Sequence, residues 1–144
     1  MTDAGGTRYP EYRFRVPYAD VDQMGFVYYA NHLAYFEAAR SHVLRELGLP
    51  YPALERRGIL LPVLEAHCEY RQPIRYDDLV GVETVFDGWR GTRLRIAYEL
   101  RCLEPALPDE AAQPGADPLP VLATGHTVHV CMDRAGRVKR PAPD

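Results

Sequence analysis

Lysine is almost missing from this chain: among its 17 basic residues only Lys139 is a lysine. The skew by itself carries no function. Set against 20 acidic residues it leaves a net charge of −3, so bulk charge offers no case for nucleic-acid binding. Cysteine is scarce too. Cys68, Cys102 and Cys131 form an odd set with no C-x-x-C pair and no histidines at zinc spacing, so neither a disulfide framework nor a metal site is indicated. They read as three reduced, half-buried thiols. No run approaches the ~18 consecutive apolar residues of a membrane span. Met1–Arg8 is polar and Gly-rich, without the apolar segment of a secretory leader, so a cytoplasmic location is the expectation.

What is present is enough for one core. The chain has 144 residues, about one domain on a scale of roughly 150 residues each. It is 47% hydrophobic and 26% charged, ordinary for a globule. A single domain over residues 1–144 is expected, with loose tails at 1–8 and 133–144.

Tyr12, Phe14 and Val16 alternate with Arg13 and Arg15, the period of a strand. Ala19–Gly25 is a polar break. After it the period changes: Leu33, Phe36, Ala39, Val43 and Leu47 recur every three or four residues, with Glu37, Arg40, Ser41, Arg45 and Glu46 largely off that stripe. This predicts an amphipathic helix beginning at the apolar run Phe26–Tyr29, with an enclosed first turn, and ending at Gly48. A further helical turn is expected over Pro52–Gly58. Strands follow over Ile59–Tyr70, Leu79–Phe86 (with Asp87-Gly88 as a turn), around Leu94–Leu100, and Val121–Met132. Between the last two lies Glu104–Pro120, with five prolines, which reads as a flexible insertion. One long helix among antiparallel strands is an α+β pattern.

The stretch that carries chemistry is Tyr18–Asn31. It holds Asp20 and Asp22 in a tight loop, then Gly25, then the helix start. A helix N-terminus presents unpaired N–H groups and roughly half a positive charge. Amides so placed can hold a developing oxyanion while a carboxylate acts on the polarised electrophile. The plainer alternative is that Asp20 or Asp22 simply caps the helix or the turn.

These residues resemble a known family. The run Tyr18-x-Asp20-x-Asp22-x-x-Gly25-x-Val27-Tyr28-Tyr29-Ala30-Asn31, followed by Phe36-Glu37-x-Ala39-Arg40, is similar to the signature of hotdog-fold acyl-CoA thioesterases of the 4-hydroxybenzoyl-CoA thioesterase type. Arg75-Tyr76-Asp77-Asp78-Leu79, and Ala123-Thr124-Gly125 through Cys131-Met132-Asp133-Arg134, extend the likeness in the expected order. It covers about residues 10–140, interrupted by the insertion.

The resemblance implies a long antiparallel sheet wrapped around one central helix, in a homodimer or homotetramer with its sites at the subunit interface. It implies a thioester hydrolase in which Asp22 is nucleophile or general base and the Tyr29 N–H polarises the carbonyl. Where many relatives carry His, this chain has Tyr29, as other relatives do. Asp20 and Gly25 shape the loop. Tyr18, Gly25, Tyr28, Asn31 and His32 are candidate substrate-binding residues. Arg90 and Arg93, in the hairpin after Asp87, are candidates for the coenzyme A phosphates, with Arg95 and Arg134–Arg140 also available. The acyl pocket is expected from Tyr28, Tyr35, Phe36 and residues 59–64. No metal or cofactor is expected, coenzyme A being part of the substrate; an acyl-carrier protein is a possible donor. The competing reading is a hotdog protein that binds acyl-CoA or lipid without hydrolysing it.

Overall fold

The computed structural model describes residues 6–107 and 119–139. Five strands, β1 (Thr7–Arg15), β2 (Val63–Tyr70), β3 (Leu79–Arg90), β4 (Arg93–Glu104) and β5 (Val121–Val130), form one antiparallel sheet in the order β1-β3-β4-β5-β2. Helix α1 (Asn31–Glu46) lies on one face and the short α2 (Tyr51–Arg56) follows it. This is the α+β hotdog arrangement that the resemblance implied.

Alternation explains the sheet. Leu94, Ile96, Tyr98 and Leu100 of β4 turn inward with Val80, Val82 and Thr84 of β3, while Arg95 and Glu99 lie on the solvent face. That outer face is laced with surface ion pairs, including Arg8–Glu83, Arg95–Asp87 and Arg101–Glu99. Phe36 is fully buried at the centre of the inner face, stacked on Tyr98 with ring centroids 4.6 Å apart. Glycine at 125 permits this. A Cβ there would fall 2.4 Å from the His67 carbonyl oxygen and 2.5 Å from the Phe36 ring. Helix α1 stops as its composition dictates: Leu49 N–H reaches the Leu44 carbonyl (2.8 Å) and Gly48 N–H that of Arg45 (3.0 Å), with Gly48 in the left-handed region.

Several expectations change. Helix α1 starts at Asn31, not in the Phe26–Tyr29 run. Phe26 and Val27 are drawn off by backbone pairing with Arg75 and Ile74, Val27 N–H meeting the Ile74 carbonyl at 2.8 Å. Tyr28 and Tyr29 are exposed rather than enclosed. Arg40, placed off the apolar stripe by its charge, is buried and donates to the Tyr51 and Tyr98 hydroxyls, each at 2.8 Å. Asp87-Gly88 is no turn: β3 runs on to Arg90, and Gly88 takes up a bulge opposite β4. Leu60 pairs with Met132 just outside the sheet, so β2 is shorter than the apolar run containing it.

Of the two expected tails, Thr7 and Arg8 belong to β1. Residues 133–139 are folded back. Asp133 Oδ1 accepts the Ala135 and Arg137 N–H groups, and Lys139 N–H donates to the Cys131 carbonyl. Residues 1–5 and 140–144, and residues 108–118 of the expected insertion, lie outside the described residues.

Candidate active site

The loop before α1 holds its two carboxylates in different ways. Asp20 is tied down: its Oδ2 accepts the Tyr35 hydroxyl at 2.7 Å. Its backbone carbonyl accepts Tyr28 N–H at 2.9 Å and the Asn31 side-chain amide at 3.0 Å. Burial, then the Asp20 contact, pushes the Tyr35 phenol far above its ordinary range, so it remains a donor. Asp20 therefore fastens the loop to the helix.

Asp22 is half-buried and less engaged. Oδ1 accepts Met24 N–H at 2.9 Å within the loop's own turn, and Oδ2 accepts no hydrogen bond among the described residues. The Asp22 carbonyl accepts Gly25 N–H at 3.0 Å, closing a turn that needs the positive φ of Gly25 (84°). A side chain at 25 would meet nothing within 4 Å, so backbone conformation alone requires glycine there. The Tyr28 phenol is raised, first by Tyr29 and least by the Asp22 charge.

Neither carboxylate caps α1, although Asp22 caps its own turn through Met24 N–H, as the plainer reading allowed. The helix N-cap is Ala30, with helical backbone angles and no side-chain cap. Among the described residues the Tyr29 and Ala30 N–H groups donate to no backbone carbonyl. Hence two amides at the positive end of a four-turn helix lack backbone acceptors, and the loop that leads into it carries a carboxylate oxygen that accepts nothing.

A second layer orients this helix end. His32 is buried, and its Nδ1 lies 3.1 Å from the Tyr29 carbonyl, which it meets as donor. Burial lowers the His32 pKa, so the ring is neutral at pH 7. The Tyr70 hydroxyl donates to the same carbonyl at 2.9 Å and its ring lies edge-on to His32, centroids 4.6 Å apart. Burial and the Cys68 thiol push the Tyr70 phenol up to about 12. Tyr70 was missed from sequence, because only the β2 register brings it across 41 residues to Tyr29.

The fold thus gathers Asp22, Gly25, Tyr28, Tyr29, Asn31 and His32, although the Asn31 side chain and the His32 Nδ1 are occupied within the loop. Tyr18 is 75% exposed and stands against Tyr76 at 5.4 Å. Tyr35 and Phe36, expected in an acyl pocket, belong to the core. Arg90 and Arg93 are not brought to the loop of their own protomer. The loop adjoins the Leu79 end of β3, since Val16 N–H meets the Asp78 carbonyl. Arg90 ends the same strand, roughly 35 Å away at ~3.3 Å per residue, and Arg93 pairs with Glu65. Among the described residues no three His, Cys, Asp or Glu side chains gather as a metal site, and no helix is long and apolar enough to cross a membrane.

The family model for the thioesterase-like superfamily matches residues 16–144. The chain belongs to this family. YneP of Bacillus subtilis is 34% identical over 85 residues, covering 59% of this chain and 62% of its own length. The match thus spans less than two-thirds of that relative. The acyl-CoA thioester hydrolase YbgC of Escherichia coli is 34% identical over 97 residues, 67% of this chain and 72% of YbgC. Among solved structures, TT1821 from Thermus thermophilus superimposes with a TM-score of 0.76 at 32% identity, covering 94% of this chain and 93% of that one.

Proposed function

We propose that this thioesterase-like superfamily member hydrolyses acyl-CoA thioesters to a free acid and a thiol. The observation that carries the reading is what the loop before α1 leaves unpaired: one oxygen of the Asp22 carboxylate and, at the helix end, the Tyr29 and Ala30 amides. The name of the relative YbgC supports the substrate class.

In this reading the thioester carbonyl accepts the Tyr29 N–H, and negative charge growing on its oxygen is held by the open helix end. Asp22 acts through Oδ2. As nucleophile it attacks the carbonyl carbon, the thiolate leaves, and water hydrolyses the resulting anhydride. As general base it takes a proton from the attacking water. A thioester is already activated for acyl transfer, so the step calls for no cofactor. His32 and Tyr70, both on the Tyr29 carbonyl, hold the Tyr29–Ala30 peptide, the one next to that which presents the Tyr29 amide.

A second copy completes the site. Strand β2 is one of the two sheet edges, paired among the described residues with β5 alone, and all its side chains but Cys68 are exposed, including Val63, Leu64 and Tyr70. Such an edge is a template for another strand. A homodimer, or a tetramer built from it, covers this edge.

The test is Asp22→Asn with a panel of acyl-CoA and acyl-carrier-protein thioesters. Asparagine still accepts Met24 N–H through its oxygen, so the fold and Tm are retained while turnover falls by about 10²–10⁴. Turnover close to wild type in the variant removes Asp22 from the mechanism. Saturable binding by the wild type without thiol release replaces the hydrolase with an acyl-CoA binder.

A further inference from the structure

Three donors converge on one carbonyl oxygen just before α1. The Tyr29 oxygen accepts the Tyr70 hydroxyl at 2.9 Å, the His32 Nδ1–H at 3.1 Å and the His32 backbone N–H at 3.3 Å. A carbonyl at a helix start is satisfied by the backbone bond of the following turn, so the two side chains exceed what the fold requires. Tyr70 is not driven there for want of another partner: it is 49% exposed, and water can serve its hydroxyl. His32 is neutral, and because a carbonyl only accepts, the ring carries its proton on Nδ1.

The peptide that receives these bonds is Tyr29–Ala30, and its N–H is that of Ala30. Resonance across C–N joins the two ends of a peptide group. Donors at the oxygen draw density from the nitrogen, and the N–H becomes a stronger donor in turn. This N–H is also idle, with no acceptor among the described residues. The Tyr28–Tyr29 peptide, which presents the Tyr29 N–H, receives less: the Asn31 N–H at 2.9 Å and the lesser pull of the His32 ring.

The two amides face one way. Asn31 N–H closes a turn on the Tyr28 carbonyl, and Ala30, at φ −67° and ψ −24°, makes it type I, whose two middle residues are both helical. The Tyr29 and Ala30 N–H groups therefore both point out of the N-terminal end of α1. On the thioesterase reading above, we propose that the Ala30 N–H is a second donor to the thioester oxygen beside that of Tyr29, and that Tyr70 and His32 are the positioning residues that aim and polarise it. One such donor is worth about 10²–10³ in rate. Each further bond in a chain strengthens it by about 10–30%, so the Tyr70 hydroxyl accounts for about twofold to eightfold.

Tyr70→Phe tests this, since it keeps the ring against His32 and removes only the hydroxyl. The kcat falls by about twofold to eightfold, with KM unchanged because the oxygen takes up its charge in the transition state. In heteronuclear NMR spectra of the variant the Ala30 amide proton moves upfield while that of Tyr29 holds its place. A shift of equal size at both amides, or none at Ala30, overturns the proposal. So does a raised KM with kcat intact, which assigns Tyr70 to substrate binding. A second change deletes the donor itself: an ester in place of the Tyr29–Ala30 amide, with lactic acid at position 30. The lost N–H holds no bond in the fold, so the protein stays folded while kcat falls by about 10²–10³. An ester also weakens the Tyr29 carbonyl as an acceptor, which by itself reproduces the loss in Tyr70→Phe. A fall no larger than that one overturns the second donor.

If the wild type cleaves no thioester, the thioesterase reading fails by itself. Titration with the ketone analogue of acetyl-CoA, a methylene replacing the sulfur, then decides the amide. Downfield shifts of both the Tyr29 and Ala30 N–H protons uphold the pair; a shift at Tyr29 alone, or at neither, overturns it.

Discussion

Gly125→Ala should be the most damaging single-methyl change in the sheet. The new Cβ would lie 2.4 Å from the His67 carbonyl oxygen and 2.5 Å from Phe36 Cε2, about 1 Å inside ordinary contact on both sides. Neither neighbour can yield freely. His67 belongs to the β2 backbone, paired with β5 at this register, and the Phe36 ring is stacked within 3° of parallel on Tyr98. Overpacking with side chains that can shift costs about 1–3 kcal/mol. Because a backbone must move here, the upper figure applies. At roughly 2–4 °C per kcal/mol for a chain of this size, Tm falls by about 6–12 °C. The backbone term has the opposite sign: replacing glycine at an ordinary φ stabilises by about 0.4–1 kcal/mol. Thermal melts followed by circular dichroism and calorimetry therefore discriminate by sign as well as size. A Tm equal to or above that of the wild type would refute the close approach of β2 and Phe36 to this position.

Other perturbations test different layers. Thr84 is fully buried with its hydroxyl unpartnered, so Thr84→Val should raise Tm by a few degrees, on a gain of about 1 kcal/mol from removing the unsatisfied group; a lower Tm in a melt contradicts this. Arg40→Met strips the Tyr51 and Tyr98 hydroxyls of their donor and should destabilise by about 2–4 kcal/mol. Urea midpoints in a double-mutant cycle with Tyr98→Phe should show non-additivity, and strict additivity would deny the contact. Burial lowers the folded-state pKa of His32, His126 and His129 below the ordinary 6.5. The unfolded chain then takes up protons first, so their contribution is complete above pH 6.5 and declines as pH falls below it. Urea midpoints at pH 7.5 and 5.5 should drop on acidification, less steeply in His129→Gln; an equal drop in that variant removes His129 from the effect.

Much of this was readable locally. Alternation in β4, the Gly48 stop and the Asp20–Asn31 loop depend on neighbours within a few residues, and short-range sterics and hydrogen bonding settle them. The failures share a cause. Phe26–Tyr29 is apolar enough to begin a helix, yet the 74–75 segment, nearly fifty residues on, pairs with Phe26 and Val27 and delays α1 to Asn31. Asp87-Gly88 has turn composition, but the β4 register absorbs it as a bulge. Arg40 carries a charge that belongs at a surface, and only the phenols of Tyr51 and Tyr98 make its burial tolerable.

The sequence by itself determined the element types, the carboxylate loop before the long helix and the likeness to a thioesterase family, because these reside in contiguous residues. Tertiary structure decided which aspartate is free. Tyr35, fifteen positions from Asp20, ties down one carboxylate and leaves an oxygen of Asp22 uncommitted. It also decided that Tyr70 bonds the Tyr29 carbonyl and that Arg90 does not lie beside the loop of its own chain. Strand register and order convert distance along the chain into distance in space, and no local pattern of residues encodes that conversion.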